Sequence, residues 1–305
     1  MNKLYIWIIF SGLMLAIFGA IKYPDQLFHI VICDVGQGDS ILIYRRFSQI
    51  LIDGGANDLV SDCLLEHVPW FDNKIELIIL THPEEDHMRG LIEVVENYDV
   101  GLFLTSGGIN DTNTFWKLKE NMVLREIESR VVSLGDELRV GEISLEVKWP
   151  EKPSISGEVW GQISSREEWN KHVKLNDEMV LGAASNNPND DSVVLEVKYG
   201  EVSTLMTGDI GVKQEQALLS MGVITPVNVL KVAHHGSKYS SKKEFIEETR
   251  PKWALVSVGE NNRFGHPSRD VLMYLDMVGA KILRTDENGT LELVSDGKIF
   301  WEKSR

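Results

Sequence analysis

The densest chemistry in the chain is the run Thr81-His82-Pro83-Glu84-Glu85-Asp86-His87-Met88-Arg89-Gly90. Four side chains able to ligate a metal, His82, Glu84, Asp86 and His87, fall close together directly after the apolar run IELIIL. α/β layers commonly carry their sites at the carboxyl ends of strands. A loop there can turn alternate side chains toward two neighbouring points, with His82 and Glu84 serving one ion and Asp86 and His87 a second. Imidazole together with carboxylate suits zinc, manganese or iron.

Two more apolar runs end in ligand-type residues. Leu205-Met206-Thr207-Gly208 leads to Asp209, and Val232-Ala233 leads to His234-His235-Gly236-Ser237. An aspartate whose oxygens each face one ion is the natural bridge of a two-metal site, and an imidazole from His234 or His235 closes the second ion's sphere. The chemistry expected of such a pair of divalent ions, zinc or manganese, is hydrolysis by a hydroxide of depressed pKa, with Asp86 and Asp209 as the central carboxylates. His266, between Gly265 and Pro267, is the candidate for protonating the leaving group or holding the substrate. Arg263, Ser237 and Lys238 are candidates for contacting the same substrate. Asp34, Asp39 and Asp53 either orient ligands by hydrogen bonds from behind or serve ordinary turns.

These groups need a frame of strands. HIVICDV, SILIYR, QILIDGG and IELIILTH read as strands with SDCLLEHV as a helix; later, SVVLEVKYG, STLMTGD, VNVLKVAHH and WALVSVG read as strands, with helices over KQEQALLSMG and RDVLMYLDMVG. Runs apolar on both faces suit strands covered by helices on one side and a second sheet on the other. AKILRTDENG and TLELVSDGKIFWE read as a closing hairpin turning at Asn288-Gly289. Residues 150–188 are polar and poorly periodic, which predicts a long insertion loop over one edge of the sheet.

Before this body, Leu4 to Ile21 carries no charge, and about 18 apolar residues is near the minimum that spans a bilayer. Phe18 stands where a cleavable signal wants a small residue, so the segment within 1–26 reads as an uncleaved anchor. The charge distribution around it places the 27–305 body outside the cytoplasm, tethered to the cell membrane by one pass, or secreted if the segment is cut. Cys33 and Cys63 are too few for a disulfide framework and read as small buried apolar residues. A net charge of −15 argues against avid non-specific DNA binding, yet two bound cations would reverse the field at the site itself.

The run His82 to Gly90, with Asp53-Gly54-Gly55 before it and Gly208-Asp209 after it, resembles the metallo-β-lactamase fold superfamily. Within it, Asp34-Val-Gly-Gln-Gly-Asp39-Ser, Asn189-Asp-Asp-Ser192, Leu230-Lys-Val-Ala-His234-His-Gly-Ser237 and Asn261-Asn-Arg263-Phe-Gly-His266-Pro are similar to the C-terminal hydrolase domain of ComEC-type competence proteins. The resemblance implies a four-layer αββα sandwich with metals on one edge, ligated by His82, Glu84, Asp86, His87, Asp209 and one of His234 or His235. It also implies hydrolysis of a nucleic-acid phosphodiester during DNA uptake, with the uptake machinery as a partner. The superfamily usually has histidine where this chain has Glu84, so an oxygen-rich first site is expected and manganese competes with zinc. A separate third-motif histidine is not evident; Asn189, Asp190 or Asp191 stands in its place. Only one span precedes the body, so the multi-helix channel of a full competence protein is not expected. Two alternatives stay open: hydrolysis of a small cell-surface phosphodiester of the phosphorylcholine type, and a non-catalytic metal-binding surface module.

Overall fold

The computed structural model describes residues 3, 5, 7–12, 14, 23–175 and 187–303. The expected spanning segment, Leu4 to Ile21, falls for the most part outside the described residues. Among those described, no helix is long and apolar enough to cross a membrane.

One sheet is built from β1 (Phe28–Ile32), β2 (Ile41–Arg45), β3 (Ser48–Ile52), β5 (Leu77–Leu80), β7 (Phe103–Thr105), β8 (Ser129–Val131), β16 (Leu291–Ser295) and β17 (Phe300–Glu302). Its spatial order is β17-β16-β1-β2-β3-β5-β7-β8. The other contains β9 (Glu137–Val140), β10 (Ile143–Trp149), β11 (Val194–Tyr199), β12 (Val202–Met206), β13 (Val229–Lys231), β14 (Trp253–Val256) and β15 (Lys281–Arg284), in the order β15-β14-β13-β12-β11-β10-β9. A short parallel ribbon pairs β4 (Lys74–Ile75) with β6 (Asp99–Val100).

The two-residue period of a strand sorts the side chains into layers. Ile30, Ile32, Ile41, Ile43, Ile50, Ile52 and Ile79 point between the sheets, where they meet Leu195, Val197, Val229 and Leu255. Their neighbours Val31, Leu42, Leu51 and Ile78 point the other way, onto α1 (Leu59–His67), α2 (Glu85–Asn97) and α3 (Asn113–Leu124). On the far side, Val194, Leu205, Leu230 and Ala254 pack under α6 (Val212–Met221), α7 (Lys243–Thr249) and α8 (Arg269–Met277). The order helix, sheet, sheet, helix is the sandwich expected, and strands buried on both faces explain the unbroken apolar runs.

Three expectations need correction. The stretch after Trp149 is not a structureless loop: α4 (Gly157–Gln162) and α5 (Arg166–Leu175) fold within it. Trp160 anchors it, buried against Phe115 with its indole N–H donating to Ser129 Oγ at 3.2 Å, while Lys119 donates to the Trp160 carbonyl at 3.1 Å. One anchoring tryptophan and short helices leave little periodicity to read.

The closing hairpin is also misplaced. β15 runs parallel to β14, with Trp253 opposite Lys281 and Val256 opposite Arg284, so it is committed to the second sheet. The chain then crosses through α9 (Thr285–Asn288), and Asn288-Gly289 ends that helix. The hairpin lies one turn later, between β16 and β17 around Asp296-Gly297.

Finally, Cys33 and Cys63 are not free apolar residues but a disulfide, with Cα atoms 5.8 Å apart. Cys33 follows β1 on its helix-facing side, and Cys63 shares the buried face of α1 with Val60 and Leu64. Packing that face onto the sheet brings the two sulfurs together, which no spacing rule reveals.

Candidate metal centre

Among the described residues, the ligand-type clusters lie at one edge of the sandwich, beyond the carboxyl ends of β3, β5, β12, β13 and β14. His82 follows β5 directly. Glu84 is the extended residue that opens α2, and Asp86 and His87 occupy that helix's first turn rather than a loop. An acidic residue there is favoured by the positive end of the helix dipole. Two glycines fix the helix position. Gly90 packs so closely on the turn after β3 that a Cβ would collide with the Gly54 carbonyl, and Gly38, at φ 128°, lies against the carbonyl of Asp86. The Gly54 N–H donates to His87 C=O at 2.7 Å, and Asp39 N–H to Asp86 C=O at 3.1 Å.

Residues distant in sequence converge here. His235 Nε2 lies 3.3 Å from Asp209 Oδ2 and 3.5 Å from Asp86 Oδ2. His87 Nε2 is 3.5 Å and His234 Nε2 3.8 Å from the same Asp209 oxygen. His82 Nε2 is 3.8 Å from Glu84 Oε2, and the rings of His82 and His87 are 4.1 Å apart. Ligand atoms of His82, His87 and Asp209 lie within 4.8 Å of one another, as do those of Asp86, His87 and His235. The two groups share His87, and Asp209 reaches into both.

The residues fit a pair of cations. His82 Nε2, His87 Nε2, His235 Nε2 and Asp209 Oδ1 are buried and make no hydrogen bond, although such atoms are costly to leave without partners. Atoms about 2.0–2.1 Å from a tetrahedral ion stand roughly 3.4 Å from each other, which is the spacing around Asp209. Burial pushes the His87 and His235 imidazoles down, but Asp209 with Asp53 at one ring and with Asp39 at the other holds both well above the ordinary value. A field that retains protons on buried rings equally favours metal cations in their place.

Support comes from behind. Asp53 Oδ2 takes hydrogen bonds from Thr81 Oγ1 at 2.7 Å and His87 Nδ1 at 2.8 Å, fixing the ring so that Nε2 faces Asp209. His235 Nδ1 lies 2.9 Å from the Ser257 carbonyl and 3.3 Å from Asp39. Asp53 (φ 58°), His234 (φ 50°) and His235 (φ 54°) all hold left-handed backbone. Non-glycine residues there cost roughly 1–3 kcal/mol each and cluster at functional sites. Between the paired histidines, the interior position and backing of His235 suit ligation, whereas His234 is partly open to solvent beside Asp209.

The remaining expected residues divide. Asn189 is buried, its Oδ1 without a hydrogen bond, in a 3-10 turn (Pro188–Asp191) that abuts the centre: Val193 N–H donates to Thr81 C=O and Asp209 N–H to Ser192 Oγ. Asp191 accepts from Ser154 Oγ, and the Asp190 carbonyl from Trp149 Nε1, which ties this turn to the insertion. His266 is at the mouth, its ring 6.0 Å from His234; burial, then His235 and His234, lower its pKa. Arg263 and Lys238 are exposed near that mouth, but Ser237 is enclosed, its Oγ accepting from Tyr239 N–H as part of the turn. Asp34 stays outside the cluster and caps its own turn through Gly36 N–H.

The sequence reading missed Lys231. Its ammonium is enclosed against Asp39 and lies 3.8 Å from Asp209 Oδ1. Burial lowers its pKa, but those two carboxylates raise it above the ordinary lysine value. The signal was a lysine inside an apolar strand, where an unpaired charge is prohibitive.

Comparison with known proteins agrees with this arrangement. The family model of the metallo-β-lactamase superfamily matches residues 33–260. ComE operon protein 3 of Bacillus subtilis (strain 168) is 28% identical over 284 residues, covering 85% of this chain and 32% of that protein. Competence protein ComA of Neisseria gonorrhoeae is 37% identical over 105 residues, covering 34% of this chain and 15% of that one. The chain thus spans a third or less of these relatives. The metallo-β-lactamase fold protein YhfI from Bacillus subtilis superposes with a TM-score of 0.52 at 12% identity, covering 91% of this chain and all of that one, a likeness of fold alone. With its family motifs gathered at one sheet edge, the chain belongs to the metallo-β-lactamase superfamily and resembles competence proteins of the ComEC type.

Proposed function

We propose that the protein is a metal-dependent phosphodiesterase that cleaves DNA outside the cytoplasm, held at the cell membrane by its amino-terminal segment. The observation that carries this is the convergence of unpartnered Nε2 atoms from His82, His87 and His235 on Asp209. Two divalent ions held there, manganese or zinc, would supply a water of lowered pKa and polarise a phosphoryl oxygen.

The chain's own residues do the rest. Asp209 would be shared between the ions, with His82 and Glu84 available to hold one and Asp86, His87 and His235 the other. Asp53 and Asp39 hold the rings of His87 and His235 in register, so little reorganisation is needed when substrate arrives. His266 stands at the mouth to hydrogen-bond a substrate phosphate or the leaving oxygen, and Arg263 and Lys238 offer exposed charge to the same phosphate. Likeness to competence proteins favours DNA as substrate and uptake machinery as partner. The Cys33–Cys63 disulfide favours an oxidising compartment, since such bonds are rare in the cytosol.

A small phosphodiester is the second reading, favoured by the charge of −15, which long polyanions meet at a cost. Cleavage of a single-stranded oligonucleotide and of bis-p-nitrophenyl phosphate, each with manganese, separates the two. Cleavage of both supports the nuclease, and turnover of the ester alone removes it in favour of the second reading. No turnover of either leaves only a non-catalytic metal-binding module.

A further inference from the structure

Phe264 is 70% exposed, at the tip of the loop that carries His266. A lone exposed ring is ordinary, but this one is built into a series. It stacks on His266 with ring centroids 5.7 Å apart and planes 19° from parallel. His266 meets His234 edge-on at 6.0 Å, and His234 Nε2 lies 3.8 Å from Asp209. Three rings therefore step outward from the shared carboxylate of the metal centre to solvent. One face of the last ring is taken by His266, and most of the ring is left in water.

The loop that holds Phe264 out is braced. The Asn262 side chain donates to the carbonyls of Gly259 at 3.1 Å and His266 at 2.9 Å, and accepts from His266 N–H at 3.0 Å. Ser268 N–H donates at 2.8 Å to the carbonyl of Gly236, joining this loop to the one that bears His234 and His235. That second loop ends in Lys238 and Tyr239, the latter 66% exposed, with the ammonium 5.0 Å from the ring centroid. Each of the joined loops thus exposes a flat ring whose preceding residue in the chain is an exposed cation, Arg263 before Phe264 and Lys238 before Tyr239.

Alternating rings and cations are what a single nucleic-acid strand requires, since its bases offer free π-faces and its phosphates take the charge. A duplex hides those faces in its own stack. We propose that Phe264 is a stacking platform for an unpaired base beside the scissile phosphate, with Arg263 on the neighbouring phosphate, so that the substrate is a single strand read with little regard to sequence. This inference rests on the nuclease reading above and adds to it the form of the substrate.

The test is equilibrium binding of a fluorescein-labelled oligothymidylate by anisotropy, with calcium in place of manganese. Phe264→Ala should weaken Kd by about tenfold, the lower part of the range for losing one stacked base, and Phe264→Trp should restore it. Removing one base, with an abasic site moved along the oligonucleotide, should cost the wild type a similar factor at one position and cost Phe264→Ala nothing further there. An unchanged Kd in Phe264→Ala, or an abasic penalty of equal size in both proteins, overturns the platform. If that happens while the wild type still cleaves DNA with manganese, the nuclease reading stands; if the wild type cleaves no DNA, it is that reading which has failed.

Discussion

Lys231 on β13 and Asp39 in the turn between β1 and β2 form an ion pair across the two sheets, each side chain only 1% exposed. Burial alone would raise Asp39, but Lys231 and then His235 pull it down to about 2. The pair therefore fastens the edge of the sandwich at the point where Asp39 backs His235.

Lys231→Met should leave Asp39 buried without its counter-ion, and breaking one half of such a pair costs roughly 3–5 kcal/mol. Urea denaturation of the metal-free protein measures this. The double variant Lys231→Met, Asp39→Leu should recover part of the loss, because the buried Asp39 charge leaves together with its nearest partner. A single variant within experimental error of wild type would show that the pair does not hold the edge together.

Asp209→Ala removes the carboxylate oxygen that lies 3.3 Å from His235 and 3.5 Å from His87. The metal-free variant should unfold at a lower denaturant midpoint than wild type, since the His87 and His235 rings and Lys231 lose the buried carboxylate that offsets their charge. Calorimetric titration with manganese should show at least one of the two binding events gone. Two undiminished binding events would mean that Asp209 is not the bridge.

Asp53 makes a subtler case, because it touches His87 and Thr81 rather than the centre. Loss of a hydrogen bond behind a ligating histidine typically costs 10–100-fold in metal affinity. Asp53→Asn should weaken manganese binding by that order while the far-UV circular dichroism is retained. Unchanged affinity would reduce Asp53 to a turn residue.

The disulfide bridges a sequence separation of 30, and closing a loop of that size is worth about 3–4 kcal/mol in the chain-entropy account. The variant Cys33→Ala, Cys63→Ala should lose stability of that order and become insensitive to reductant. A wild-type midpoint that does not move on reduction would contradict the bridge.

Glu215 on α6 gives a pH signature away from the centre. It is enclosed, accepts from the backbone N–H groups of Ser241 and Lys242, and faces the charges of Lys242 and Glu244. Burial raises its pKa from 4.5 to about 7 despite those hydrogen bonds and Lys242. The folded state then binds this proton more tightly than the unfolded state does, so the stability it contributes is full below pH 4.5 and is lost as pH rises through about 7. Glu215→Gln should remove that slope from the difference between the two proteins' urea midpoints. Parallel profiles across the window would assign the pH dependence elsewhere.

Much of this molecule is written where period and burial coincide. The runs from Phe28 to Ile52 and from Leu77 to Leu80 are apolar on both faces because helices and a second sheet cover them, and that pattern survives in one dimension. The ligand types at 82–87, 209 and 234–235 were legible for a related reason: imidazoles and carboxylates at the ends of buried strands have no other ready use. What sequence left out is relational. The Cys33–Cys63 bond depends on how α1 lies on β1, and the role of Lys231 on which aspartate reaches it from the opposite sheet. The hairpin was misread because a glycine after Asn288 ends a short helix as readily as it makes a turn. Among the three aspartates considered as supports, Asp39 and Asp53 back histidines and Asp34 does not, a difference of direction that spacing cannot encode.

Whether the chain seats a pair of cations among these side chains is decided by anomalous scattering from crystals grown with manganese and zinc. Two peaks are expected, with Asp209 touching both, His82 and Glu84 beside one, and Asp86, His87 and His235 beside the other. A protein that takes up fewer than one ion per chain with either metal in excess, or that binds its ions away from Asp209, would contradict that arrangement.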